Sequence, residues 1–377
     1  METLIKKIKD DLYVAKITNK ELAGYWSVTP SIVSDVLNGR TQMRFCYFSK
    51  TLNYLYKDTT IKRNLIKKYI EKNKLRNLRE AMEYLSLQGD FELLKQVVDT
   101  ELNAGASSNK EWASVYDLIY RMYTEEWEFK TLYNLIMKQN RSSKTLEMKI
   151  LTEILICQML YHWGNYRLLF NRLQDIELDI KNIKNKFIRT CFDIRFKEAF
   201  CIISLQRGNT DETRRSANEI LDLTEQDPFF VIPKINALLK LGESYIFEDY
   251  KTAKFFLEKS LETLERVSNI GIVRKKQLIK NTLNFLFIYW GEEMDYLETE
   301  IHCAELAYLK IKKGKKKEAE ELLMYLEKQT GELTDFQTLY LGLAKEDKNL
   351  IKKALEMCEE TGNIFYSQLP KKYLGLN

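Results

Sequence analysis

Three hydroxyl side chains, Thr29, Ser31 and Ser34, crowd the first turns of a short helix-forming run, and four cations, Lys20, Arg40, Arg44 and Lys50, flank them. Hydroxyls exchange hydrogen bonds with base edges while discriminating weakly among them, and Lys and Arg neutralise phosphates. The chemistry open to this set is contact with double-stranded DNA, in which phosphates carry much of the affinity.

The elements that must position these groups can be read residue by residue. Thr18 and Glu21 have the spacing of a capping box, so a helix starts at about Asn19. Leu22, Ala23 and Trp26 give it one apolar side, and the small Ala23 lets a second helix cross close by. Thr29 is a good N-cap, and Pro30 suits the first helical position, where an N–H has no partner. Ile32, Val33, Val36 and Leu37 are expected to point inward, leaving Ser31, Ser34 and Asp35 outside; Gly39 is placed to end the helix. The arrangement predicts a helix-turn-helix over residues 18–40, whose second helix enters the major groove while the first crosses the backbone. Ser27 occupies the turn where Gly is usual, although positive φ is uncommon outside Gly. An ordinary helical hairpin would share the capped helices, but not also the Asn38-Gly39-Arg40 exit and the N-terminal location.

Charge favours the DNA reading. Residues 1–77 hold sixteen Lys or Arg against seven Asp or Glu, a net of +9 in a chain whose total is +5, so the remainder sums to −4. A basic module on a mildly acidic body predicts salt-dependent binding to nucleic acid.

Over 377 residues there are only four Pro and fourteen Gly, and abundant Leu, Ile, Lys, Glu and Tyr favour helix throughout. No apolar run reaches a membrane span; the longest, Leu283 to Trp290, reads as a buried helix segment. The start, METLIKKIKD, lacks the apolar core of a signal peptide, and a cytosolic protein is expected. Cysteines at 46, 157, 191, 201, 303 and 358 show no CxxC spacing and read as free, mostly buried thiols. His162 and His302 belong to no ligand pair or nucleophile motif, and no phosphate-cradling glycine loop is present. An enzyme is therefore not expected, nor a cofactor or metal site.

Beyond about Asn77 the chain repeats one theme: an apolar helix, a short turn, then an amphipathic helix. The turns recur at Gly89-Asp90, Gly164-Asn165, Gly208-Asn209, Glu248-Asp249, Gly314-Lys315 and Glu346-Asp347. The tetratricopeptide consensus pairs Leu-Gly-x-x-Tyr with a later Ala and large residue. Leu241-Gly242-Glu243-Ser244-Tyr245 with Ala253 and Leu257 fits it, as do Leu306-Ala307, Gly314, Ala319 and Leu323. A final unit, LYLGLAKEDKNLIKKALEMCEETGN, has a shortened first helix. One helix pair cannot bury its apolar stripe alone, and stacked pairs can, which yields a superhelix whose inner wall is lined by first helices. The predicted fold is all-α: an N-terminal helix-turn-helix domain (1–60), a basic helical connector (61–77), degenerate tetratricopeptide-like repeats in a right-handed superhelix (78–335), and a C-terminal repeat with capping helices (336–377). Residues 103–110, 141–145 and 227–233 read as connectors inside the array.

This order of elements resembles the helix-turn-helix plus tetratricopeptide-repeat peptide-pheromone receptors of Gram-positive bacteria, and most of all the arbitrium receptor family, AimR. The residues that carry the resemblance are NLREAMEYLSLQGDFELLKQVVD, the GES after the 228–233 break, and FLFIYW followed by EIHCAELAYLKIKKGKKKEAEELL. The resemblance implies a homodimer that binds promoter DNA and activates a locus favouring lysis, until a short imported peptide enters the repeat groove and stops it. It also implies dimer contact through C-terminal helices, here about 335–374. Leu339, Leu343, Ile351 and Leu355 are the apolar candidates there, with internal core as their other reading.

By repeat register the groove-facing positions include Arg195, Glu198, Gln206, Asn236, Glu243, Asn281 and Asn284. An amide can both donate to and accept from a peptide backbone, and Glu198 or Glu243 can pair with a basic ligand side chain. Where the family places Asn side chains around 200–207, this chain has Ile202, Ile203, Gln206 and Arg207, which implies a different cognate peptide. The competing functional class is a repeat protein of the phosphatase or anti-activator type, which binds a partner protein and not DNA.

Overall fold

A computed structural model describes residues 1–72, 76–104, 106–125, 127–227, 229–266, 273–294, 297 and 301–376. Among these the chain is all α, with no strand. Residues 73–75, inside the predicted connector, and 105 and 228, inside predicted breaks, lie outside the described residues.

The N-terminal helix-turn-helix domain, called the reader after the DNA contact expected of it, comprises α1 (Glu2–Val14), α2 (Asn19–Trp26), α3 (Pro30–Leu37) and α4 (Phe45–Leu55), and α5 (Thr59–Lys72) leads out of it. The Thr18–Glu21 capping box forms in full, and Ser27 does adopt the left-handed conformation at φ 60°. Thr29 sits at the N-cap of α3 without making a side-chain cap bond, and Gly39 leaves the helix at φ 73°. Ile32 corrects the inward assignment: it is 41% exposed, because Val33, Val36 and Leu37 already fill the side that meets α2 and α1. Trp26 stacks on Tyr47 and donates to the Thr51 hydroxyl at 3.0 Å, which fixes α2 on α4.

The array then runs in pairs. These are α6 (Arg76–Gln88) with α7 (Phe91–Ala104), α8 (Ser107–Thr124) with α9 (Phe129–Ser142), α10 (Leu146–His162) with α11 (Tyr166–Lys181), and α12 (Lys186–Gln206) with α13 (Thr210–Gln226). Next come α14 (Val231–Ser244) with α15 (Tyr250–Glu265), then α16 (Val273–Trp290), α17 (Cys303–Lys312) with α18 (Lys316–Thr330), α19 (Asp335–Lys345) with α20 (Lys348–Thr361), and the short α21 (Gln368–Leu374). First helices of successive pairs pack on one another, α6 on α8, α8 on α10, α10 on α12 and α12 on α14.

The predicted turns have a common construction. Gly89, Gly164, Gly208, Gly314 and Glu346 carry positive φ, and Asp90, Asn165, Asn209, Asp249 and Asp347 accept backbone N–H bonds at the start of the second helix. The left-handed residue reverses the chain and the Asx side chain caps the second helix. All three predicted connectors are shorter than expected. Helix α8 already includes 107–110, α9 runs through Ser142, and α14 takes in Pro233, which the first helical turn tolerates because the N–H that proline lacks has no helical partner there.

Gly242 and Gly342 explain the Leu-Gly pairs. A Cβ on Gly242 would stand 2.6 Å from the Leu257 side chain, and one on Gly342 would stand 2.9 Å from Ile351 and 3.0 Å from its backbone nitrogen. The two helices of each pair touch there, with no room for a methyl group.

The reader shares its core with the array. Phe45 meets Tyr69 and Tyr84 edge-on, Tyr84 stacks on Phe229, and one hydrophobic cluster runs without interruption from Leu4 to Leu241. A second cluster extends to Leu369. The far end of the chain turns back to the middle: the Phe365 N–H donates to the Gln206 carbonyl at 3.0 Å, and Arg167 donates to that of Glu359 at 3.1 Å. Leu339 and Ile351 are buried in the second cluster, and Leu343 packs against it. This corrects Leu339 and Ile351 as dimer contacts in favour of their other reading, internal core, since both are buried within the chain itself; Leu355 is half-buried. Five of the six cysteines are buried and all are free, with Cys303 half-buried.

Candidate functional site

On the reader, Lys20, Thr29, Ser31 and Arg40 are exposed, and Lys50 and Ser34 are half-buried. The Ser34 hydroxyl accepts from the Asn38 amide at 3.2 Å, and Arg40 lies 3.3 Å from the Asp35 carboxylate. Ile32 joins Ser31 on the exposed surface of α3, an apolar group of the kind that contacts a thymine methyl.

Arg44 is a correction. Its guanidinium pairs with the buried Glu80 of α6 and donates to Asn185 at 3.3 Å, so it holds the reader to the array and is not free for phosphate. Glu80 also accepts the backbone N–H of Cys46 at 3.0 Å. The excess charge is placed differently too: residues 1–60 sum to +3 and 61–77 to +6. Much of the basic surface therefore belongs to α5, where Lys67, Lys68 and Lys72 are exposed. Arg63 on the same helix is engaged by Asp90 and Glu92.

A cavity of about 440 Å³ opens on the inner wall of the array. First helices line it in turn: Tyr123 from α8, Gln158, Tyr161 and His162 from α10, Glu198 and Ile202 from α12, Asn236 and Lys240 from α14, and Lys275, Leu278 and Asn281 from α16. Trp127 closes one side, its ring edge-on to His162 at 6.0 Å.

Of the residues placed in the groove by repeat register, the cavity gathers Glu198, Asn236 and Asn281. The other four lie elsewhere. Arg195, one helical turn before Glu198, is buried and donates to Glu83 of α6 at 2.9 and 3.2 Å and to Ser86 at 2.7 Å. Glu243 is buried beside Lys240, Gln206 is buried where its carbonyl receives Phe365, and Asn284 is buried on α16. The register named three of the five first helices that line the cavity, α12, α14 and α16, and not α8 and α10; the turn-by-turn choice of inward residue was finer than it resolves.

Two lysines were missed. Lys240 is buried, donating to Glu243 and, at 3.0 Å, to the Tyr161 hydroxyl; burial is the largest influence and lowers its pKa, but Glu243 and Tyr161 together outweigh it and hold the group above the usual lysine range. Lys275 donates to the Asn236 amide oxygen, and the Asn236 NH2 donates to Glu198. Burial pushes Lys275 down to about 8, with Glu198 opposing the shift and Lys240 adding to it. Burial likewise pushes Glu198 up, against the pull of Asn236, Arg195 and Lys275. Lysine is ordinarily a surface residue, and only the Tyr ends of the neighbouring first helices marked this as an amphiphilic wall.

Glu80 and Glu83 connect the two surfaces. Three residues apart on one side of α6, they bind the reader through Arg44 and the cavity helix α12 through Arg195.

The model of the family described as AimR transcriptional regulator-like matches residues 62–375. The chain belongs to this family. An uncharacterized protein of Bacillus anthracis is 34% identical over 63% of this chain and 87% of its own length. The AimR transcriptional regulator of Bacillus phage phi3T is 23% identical over 78% of this chain and 75% of its own. Among solved structures, phAimR with ligand superposes with a TM-score of 0.74 at 21% identity, covering 87% of this chain and 96% of that one. Selenomethionyl phAimR covers 99% and 96%, with a TM-score of 0.63 at 19% identity. The AimR-like match spans the array and most of the connector and begins after α4, leaving the N-terminal helices outside it. No described helix is long and apolar enough to cross a membrane.

Proposed function

We propose that this AimR-like regulator is a peptide-responsive switch of transcription. It binds promoter DNA as a homodimer through α2 and α3, in the cytosol of a bacterial host, and a short imported communication peptide in the cavity turns that activity off. In a phage or a related element the regulated choice is lysis or lysogeny.

The observation that supports this most directly is the shared helix α6, whose Glu80 holds the reader and whose Glu83 holds the helix carrying Glu198 into the cavity. A ligand that shifts α12 then changes how the reader is held, and in a two-fold dimer a small shift alters half-site spacing.

The test is selection of duplex DNA from a random library, followed by affinity measurements across a salt series. Arg40→Ala with Lys50→Ala is expected to lower the salt slope by about 2, one for each phosphate no longer neutralised. An unchanged slope, or no sequence recovered, sinks the DNA reading and favours a repeat protein that binds a partner protein.

A further inference from the structure

Lys275, half-buried, reaches the cavity from α16 and meets only neutral groups, the Oδ1 of Asn236 and the face of the Tyr123 ring at 6.0 Å. Among the described residues no carboxylate pairs directly with it, whereas the other cavity lysine, Lys240, holds both Glu243 and the Tyr161 hydroxyl. One amide dipole and one ring face do not replace the hydration of an ammonium partly withdrawn from water. Its lowered pKa, about 8, has that cause. The orientation of Asn236 follows from its two neighbours: a carboxylate needs the NH2 and an ammonium needs the oxygen, so Glu198 keeps the amide turned with its oxygen towards Lys275. Ile202 and Leu278 continue the wall as apolar surface.

Resting on the reading of this cavity as a peptide site, we propose that Lys275 and Asn236 form its anion corner and take a carboxylate of the bound peptide, with Glu198 as the positioning residue. The carboxylate accepts from the ammonium and displaces water, giving Lys275 the charge-assisted partner that the chain itself does not supply.

The chemistry is shared by a peptide's C-terminus and by Asp or Glu side chains, and three random hexapeptide libraries separate them. One lacks Asp and Glu and ends in a free acid, the second has the same composition and is amidated, and the third is amidated but contains Asp and Glu. Each is mixed with the full-length protein, and retained peptides are counted by mass spectrometry after gel filtration. The free-acid or the acidic amidated library is expected to be enriched roughly tenfold over the neutral amidated one, the size of one charge-assisted bond. Which of the two is enriched names the source of the carboxylate. Lys275→Gln should abolish the preference and Lys275→Arg should keep it. The wild-type comparison decides the matter even if Lys275→Gln fails to fold. Equal retention of all three libraries overturns the anion corner and leaves the peptide reading standing; no retention of any library overturns both.

Discussion

Glu80, on the first helix of the array, accepts from the Arg44 guanidinium and from the Cys46 backbone N–H at the start of the reader's last helix. One buried carboxylate thus fixes both the side chain and the backbone of that helix start. Glu80→Ala should destabilise the protein by about 3 kcal/mol, because the Cys46 N–H, the Asn185 amide and the Arg44 guanidinium all lose their acceptor. Arg44→Ala should cost about 1 kcal/mol, because Arg44 is half-exposed and the Cys46 and Asn185 donors keep their acceptor. Urea denaturation of both variants checks the order, and equal losses contradict it.

The Glu83–Arg195 pair carries a larger expectation. Both side chains are buried, and Glu83 also accepts from the Tyr116 hydroxyl at 2.7 Å. Arg195→Ala strands a buried carboxylate and should cost about 3–5 kcal/mol, whereas Glu83→Met with Arg195→Met should cost much less than the two single changes summed. A double-mutant cycle without coupling removes the pair from the proposed link between cavity and reader.

On the reader, Lys20→Ala should reduce the salt slope of DNA binding by about 1, while Arg44→Ala should leave the slope unchanged since its charge is already matched by Glu80. Ile32→Ala should relax discrimination at one thymine by about 1 kcal/mol if its methyl groups meet the base. A slope that falls with Arg44→Ala returns that residue to the phosphate contacts.

Gly242→Ala and Gly342→Ala each force a methyl group into a contact already closed, against Leu257 and Ile351. Each should cost about 1–3 kcal/mol and lower the melting temperature, since at both positions the new methyl meets backbone as well as side chain, the Ala253 carbonyl 3.1 Å from a Cβ on Gly242 and the Ile351 nitrogen 3.0 Å from one on Gly342. Gly24→Ala, where a Cβ meets nothing within 4 Å, is the control and should be near neutral.

Lys275 gives a pH signature. Its folded value, about 8, lies below the ordinary 10.5, so between these values the unfolded chain holds more protons than the folded one, and stability attributable to this group rises with pH. Lys275→Met should remove that rise, seen as a difference in denaturation midpoint between the two proteins from pH 8 to 10. Glu198 from α12, Lys240 from α14, Tyr123 from α8, and Tyr161 and His162 from α10 face the same space, with Glu243 behind Lys240 as its partner, and all remain in both proteins. Parallel pH profiles would show that Lys275 is not the titrating group.

Local chemistry was legible wherever one residue determines its own backbone. The Thr18–Glu21 box, the Ser27 turn, Pro30 at the start of α3 and the Gly-Asx reversals depend on neighbours within a few positions, and all were readable in order. Ile32 was not, because its spacing fits the inner stripe and only the packing of α1 and α2 shows that stripe to be already full.

The amino-acid sequence by itself determined an all-helical repeat array behind a helix-turn-helix, since capping, turn residues and apolar periodicity are local and repeat along the chain. Tertiary structure alone decided which polar side chains meet. Arg195 and Glu198 are one turn apart on the same helix, yet one closes on Glu83 in the core and the other faces the cavity. Arg44, a surface cation by composition, is claimed by a carboxylate 36 positions away. Burial and pairing depend on what neighbouring helices bring to each side of a residue, and for charged groups the partner, not the residue type, fixes the role.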